Sequence, residues 1–359
     1  MTPAASTLPD RNRPRSQDFR QLFGIREVVI GITLGSALFM LTLSVLITGL
    51  QIMPILLERA VAIHDFLGNR PQRSSGGEIY VLGSSVVLHG IDCRVLDSAL
   101  SDGLRSYNLG LSSARPGFWL LFARDLVQAS PAQVVICVDL LTLPTSDRMP
   151  ADLLRLAGLR DIPGPEEIAL LGTYLPEGQL HALTDPAWHQ LLRLRRLPYD
   201  KFVLWHREEK RPDLRFDGFA ANFRSPWIRT STVSRADLER EISERVALVT
   251  ESLTDSRHPN LEMLAELFTL LQEKGIPACA VINPVRPEYF TRIDPHRLAA
   301  LRNRMLSTAA ASSIPVLDHS RLFGAESFLD GSHMQADSRR LWSLHLGRDL
   351  MQLLATKGP

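Results

Sequence analysis

The run Ile79-Tyr80-Val81-Leu82-Gly83-Ser84-Ser85 holds four apolar residues stopped by a glycine and two serines. A short apolar run bounded by a turn signal reads as a buried strand, and the glycine as a tight turn into a helix. Similar runs at 104–109, 133–139, 278–282 and 314–317 read as four more strands, separated by stretches of helical periodicity. Strands alternating with helices predict a parallel sheet in a three-layer α/β domain over 78–355.

The helices after residue 233 carry clear punctuation. Ser234-Arg-Ala-Asp237 is a capping-box variant, which opens a helix with Leu238, Ile242 and Val249 on one stripe. Asn260 is placed to cap the next helix, through Leu261, Leu264, Leu267, Phe268 and Leu271, closed by Lys274-Gly275. A final helix over about 337–355 would set Leu341, Leu344, Leu350 and Leu354 against the sheet. Between them, 141–233 is rich in prolines and scattered aromatics. It is too long for a plain loop and reads as an insertion with its own short helices or a lid.

Charge and hydropathy set the surroundings. With 40 basic and 39 acidic residues the chain has a net charge of +1 and no footprint for nucleic acid. Residues 28–57 carry no charge and exceed the roughly 20 apolar residues that span a bilayer. Arg11, Arg13, Arg15, Arg20 and Arg26 precede them, so the positive-inside bias keeps a disordered tail, 1–27, in the cytoplasm. Residues beyond a linker at 58–77 would then lie outside the cytoplasm. A cleaved signal peptide is the alternative, but the run is longer than the roughly 7–15 residues of a signal core. Three cysteines, Cys93, Cys137 and Cys279, permit at most one intramolecular disulfide, and no spacing suggests a metal site or another cofactor.

Ser85 and the pair Asp330 and His333, in Asp330-Gly-Ser-His333, bring the three groups of a serine nucleophile to opposite ends of the domain. A hydroxyl needs a base to take its proton, and the base needs a carboxylate to fix its tautomer and stabilise its cation. A serine just past a strand stands at the carboxyl edge of the sheet, where open α/β sheets hold ligands.

Four stretches resemble the SGNH or GDSL hydrolases: Gly83-Ser84-Ser85, Asn108-Leu-Gly-Leu-Ser-Ser113, the strand end Val138-Asp139, and Asp330-x-x-His333. With the apolar segment and Ile282-Asn-Pro-Val-Arg-Pro287, the chain is most similar to the membrane-anchored bacterial branch, which includes alginate O-acetylation and D-alanyl lipoteichoic acid transfer proteins. The resemblance covers about half the chain, 78–140 and 260–355, and leaves the insertion unmatched. It implies a flavodoxin-like fold in a periplasmic domain on a single-pass inner-membrane anchor. As function it implies a serine esterase or O-acyltransferase acting on acyl esters of envelope glycans or polymers, partnered by a membrane-embedded acyl donor protein.

The same resemblance makes Ser85 the nucleophile, with Ser84, in place of the usual aspartate, as runner-up, and Asp330 and His333 the other triad members. It places oxyanion-hole donors at Ser85 and Ser113, and a third at residue 139. Where the family has Gly-x-Asn-Asp, this chain reads Cys137-Val-Asp139-Leu, and an ionised aspartate accepts hydrogen bonds without donating. Losing one such donor typically costs about 10²–10³ in rate. Thr142 or the insertion is then expected to replace it, or the protein is a silent accessory subunit that binds glycan. Arg115 and Arg286 project from the same edge, either to hold an anionic substrate group or to pair with a loop carboxylate. His89 is read as structural or exposed, though near enough to meet substrate. Asp318 and His319 are read as opening the loop toward Asp330.

Overall fold

The computed structural model describes residues 30–36, 38–40, 55–69, 77–101, 103–112, 114–144, 169, 172–174, 222–225, 233–254 and 258–356. The chain divides into two compact units, Met1–Ile52 and Met53–Pro359. In the first, residues 30–36 and 38–40 are helical, and Ile32, Leu34, Leu38 and Phe39 are each 65% exposed. Among the described residues no helix is long and apolar enough to cross a membrane. The rest of the expected span lies outside them, apart from its last three residues, which open a helix of the second unit.

That helix, α1 (Ile55–Gly68), corrects the expected linker. Arg59, Ala60, Ile63 and Leu67 are buried on it at 59/63/67 spacing, so what reads as a stalk is a packed amphipathic element. The Arg59 guanidinium donates to the carbonyls of Gly110 (2.7 Å), Asn108 (2.7 Å) and Asn222 (3.2 Å). Burial lowers its pKa to about 10, which leaves it charged at neutral pH.

Strands β1 (Glu78–Leu82), β2 (Arg105–Asn108), β3 (Gln133–Val138), β4 (Ala278–Ile282) and β5 (Val316–Asp318) form one parallel sheet in the order β2-β1-β3-β4-β5. This is the flavodoxin-like order, and the central strands are buried on both faces, as parallel strands covered by helices must be. Alternation divides the core. Tyr80, Leu82, Ile136, Val138, Ala280 and Ile282 face α1, α4 (Pro116–Leu121), α5 (Ala123–Ala129) and α7 (Pro259–Glu273). Ile79, Val81, Val135, Cys137, Cys279 and Val281 face α2 (Ser85–Gly90), α3 (Cys93–Asp97) and α10 (Ala336–Thr356). All three cysteines are buried free thiols.

Between α5 and α7 stands α6 (Arg235–Ser252), capped by Ser234, whose hydroxyl accepts from the Asp237 amide at 3.1 Å as the capping box requires. Helix α7 is entered differently from the expectation. Pro259 takes its first position, and Asn260, one residue inside, donates to the Thr142 carbonyl at 3.2 Å. Helices α8 (Pro287–Arg292) and α9 (Pro295–Ala311) lead into β5. On α10 Leu350 is buried and Leu344 and Leu354 are half-buried as expected, but Leu341 is exposed, and Trp342 and Leu346 complete the inward stripe. The 141–233 insertion is described only in short pieces, so its internal architecture lies outside the described residues.

Asp318 closes β5 and His319 opens the loop that leads to Asp330, as expected, and both are tied down by side-chain partners. Asp318 pairs with Arg302 (2.6 Å). Trp342 Nε1–H donates to His319 Nδ1 (3.0 Å), while His319 Nε2 meets Asp349 Oδ2 at 2.8 Å. Because the indole can only donate, Nδ1 is bare and Nε2 carries the proton. Burial outweighs the Asp349 contact and holds the His319 pKa below its ordinary value. Near pH 6.5 the unfolded chain therefore binds the proton that the folded chain resists. Unfolding free energy from urea titration is expected to fall as pH drops from neutrality through about 6.5, and a His319→Asn variant should lose that part of the slope.

Candidate active site

The sheet order reverses between β1 and β3, and the crevice at such a switch point is where open α/β sheets bind ligands. Gly83 leaves β1 there because a side chain would strike Val87 and sit 3.1 Å from both Cβ and carbonyl oxygen of Cys137. Ser84 follows as N-cap of α2, its hydroxyl accepting from the Val86 amide at 3.3 Å. Ser85 is the first residue of α2 and is partly exposed, as is Ser84. A cleft at this point is lined by Gly83, Ser84, Arg115, Trp119, Asp139 and Thr142, among others.

Asp330 and His333 come from the loop before α10. An isolated bridge between Phe328 and Met334 and a bond from the Leu329 amide to the His333 carbonyl (2.7 Å) pinch this loop shut. The carboxylate of Asp330 is buried and accepts from the backbone amides of Ser332 (2.8 Å) and His333 (2.7 Å), while His333 Nδ1 lies 2.8 Å from Oδ2. Burial acts to raise the Asp330 pKa, but these bonds outweigh it and hold the carboxyl well below its usual range. An ionised Asp330 fixes the His333 ring with Nδ1 protonated and leaves Nε2 as the basic nitrogen.

His89 joins the two halves. Its ring meets that of His333 edge to face with centroids 4.9 Å apart, and it stands one turn, about 6 Å of axial rise, along α2 from Ser85. Residues four apart share a helix face, so Ser85 and His333 approach the same side of α2. His89 is thus neither remote nor merely exposed. Ser113 lies outside the described residues.

Of the two uses read for Arg286, the carboxylate pairing is the one found, and the oxyanion donor at Asp139 is corrected. Arg286 is buried and paired with Glu288 (2.8 Å), with a further bond to the Asp330 carbonyl (3.4 Å); it supports the loop and is not presented to a substrate. Asp139 supplies no oxyanion donor, because its Oδ1 accepts from the Leu141 amide (3.1 Å) and its Oδ2 from Arg245 Nη2 (2.6 Å). Thr142 is no replacement either, since its hydroxyl donates to the Asp139 carbonyl at 2.9 Å. Arg115 does line the cleft. Burial lowers its pKa, the Asp139 charge opposes this, and Arg245 adds to it, so both cations lie within electrostatic reach of one carboxylate.

Arg245, Glu241 and Tyr289 were not visible from motifs. Glu241 and Arg245 are four apart on α6, the favoured order for an acid and base on one face, and that spacing was the available signal. Asp139 raises the Arg245 pKa, which keeps the guanidinium charged. The Tyr289 hydroxyl is buried with no hydrogen-bond partner among the described residues, and burial pushes its pKa up to about 12. Gly331 packs against it: a Cβ there would lie 2.7 Å from the Tyr289 hydroxyl and 2.7 Å from Glu241 Oε1. Among the described residues no three His, Cys, Asp or Glu side chains gather as a metal site requires.

No protein-family model matches the chain, and no curated protein matches it. Among solved structures it is similar to a lipase/acylhydrolase from Enterococcus faecalis (12% identity, TM-score 0.37, covering 77% of this chain and 96% of that one). It is also similar to the inhibitor-bound aryl esterase of M. smegmatis (11%, 0.34, 77% and 100%) and to Est24, a carbohydrate acetylesterase from Sinorhizobium meliloti (11%, 0.33, 78% and 99%). At such scores the assignment is left to the geometry of the chain itself.

The crowding at Gly331 makes a direct prediction. Gly331→Ala should destabilise the fold by about 1–3 kcal/mol in urea titration, since overpacking forces the loop or its neighbours to move. Adding Tyr289→Phe, which removes one of the two colliding oxygens, should recover part of that loss; simple additivity would show that the two positions do not touch.

Proposed function

We propose that the Met53–Pro359 unit is a serine acyl-ester hydrolase or acyltransferase of the SGNH type, with Ser85 as nucleophile, His333 as general base and Asp330 as its orienting carboxylate. The observation that carries the reading is the Asp330–His333 pair, bonded at 2.8 Å and set against the α2 face that begins with Ser85. Ser85 Oγ attacks the acyl carbonyl as His333 Nε2 takes its proton. The tetrahedral intermediate collapses when the imidazolium protonates the departing alcohol, and a second hydroxyl then repeats the sequence to release the acyl group. Water as that hydroxyl makes an esterase, and a sugar or polymer hydroxyl an O-acyltransferase. Ser84 caps α2, which favours its neighbour as nucleophile.

In this proposal the chain is a single-pass protein of a bacterial inner membrane, with the site on the periplasmic side near envelope glycans and a membrane-embedded acyl donor. The uncharged 28–57 stretch, the arginines before it and the exposed apolar side chains at Ile32, Leu34, Leu38 and Phe39 support this placement. The chain should stay with the membrane pellet after alkaline carbonate extraction; release into the supernatant would argue for a cleaved or peripheral protein.

A fluorophosphonate should label the wild type and Ser84→Ala but not Ser85→Ala. Hydrolysis of p-nitrophenyl acetate should fall by about 10³-fold or more in Ser85→Ala and His333→Ala. Failure to label the wild type, under conditions that label a control esterase, would instead support a silent subunit that uses the cleft for binding.

A further inference from the structure

We infer that Arg245 takes the place of the missing oxyanion-hole donor, with Asp139 as the positioning residue that holds its guanidinium. This rests on the acyl-transfer reading and deepens it by naming the electrophilic group. Asp139 follows β3 on one side of the switch point and Ser84 and Ser85 follow β1 on the other, and Asp139 and Ser84 line the same cleft. A carboxylate at that place cannot donate to an oxyanion, but it recruits a cation: Arg245 Nη2 donates to Asp139 Oδ2 at 2.6 Å.

A guanidinium has five N–H donors in a planar fork, so one bond to Asp139, which lines the cleft, orients the group and leaves other N–H groups to donate. Among the described residues that bond is the hydrogen bond Arg245 makes. Its side chain is 23% exposed, against 10% for Asp139, so the guanidinium is partly accessible while the carboxylate is more fully buried. Arg115 lines that cleft within electrostatic range of the same aspartate. When Ser85 Oγ bonds to the acyl carbon, the carbonyl π electrons move to its oxygen. That oxygen then receives the Arg245 N–H together with the backbone donor of Ser85, until collapse returns the electrons and expels the alcohol.

The test compares an ester with its thionoester, in which sulfur replaces the carbonyl oxygen and is a poor hydrogen-bond acceptor. In the full-length protein, Arg245→Met should lower kcat/KM for p-nitrophenyl acetate by about 10²–10³-fold, while the thionoester rate falls far less, so the oxygen-over-sulfur preference shrinks. Arg245→Lys retains charge and the Asp139 partner and should fall between. Undiminished activity in Arg245→Met overturns the inference, and so does an equal loss on both substrates, which marks a purely structural residue. If the wild type itself neither labels with fluorophosphonate nor turns over the ester, the acyl-transfer reading fails, and this inference with it.

Discussion

The buried amide of Asn108 holds the cleft edge of the sheet together. Its Nδ2 donates to the carbonyls of Val87 (2.8 Å) and Ile91 (2.9 Å) at the end of α2, its Oδ1 accepts from the Gly110 amide (2.9 Å), and its own carbonyl accepts from Arg59. A short helix leaves its last carbonyls without intrahelical partners, and a buried carbonyl without one is costly. One side chain therefore satisfies the end of the helix that begins with Ser85 and fixes the turn after β2. Arg59 closes the arrangement from α1. The order of events in three dimensions is thus α1 onto the β2 turn, the β2 turn onto α2, and α2 presenting Ser85 at the switch point.

Much of this was legible in the chain. The five apolar runs became the five strands with shifts of one or two residues, because a strand buried on both faces has little freedom in composition. The Ser234 cap and the Asp330–His333 pairing follow from short-range spacing, where the residues that interact lie three apart. What escaped was long-range. Nothing in Arg59 marks it as the clamp of a loop 49 residues away, and Arg245 reaches Asp139 across 106 residues, much of it the unmatched insertion. On α10 only Leu341 departs from the leucine spacing, because Trp342, which also donates to His319, takes the inward place beside it.

Among the described residues, the buried charges at Arg286 and Asp330 are answered by nearby partners. Arg286 answers Glu288 beneath the Asp330 carbonyl, and backbone amides answer the Asp330 carboxylate. Such pairs contribute little net stability after desolvation, yet each is strongly destabilising to break, so they serve to fix one geometry. The Asp330 loop shows this most plainly, since it is held by its own amides, by the Phe328 and Met334 bridge and by close packing at Gly331.

The Asp139–Arg245 pair also constrains how this site can change over generations. Replacing either residue alone strands its partner, a carboxylate deprived of its counterion or a guanidinium without its anchor. Positions 139 and 245 should therefore drift as a couple, showing strong epistasis. Descendants that acquire asparagine at position 139 are then expected to have shed the arginine in the same lineage.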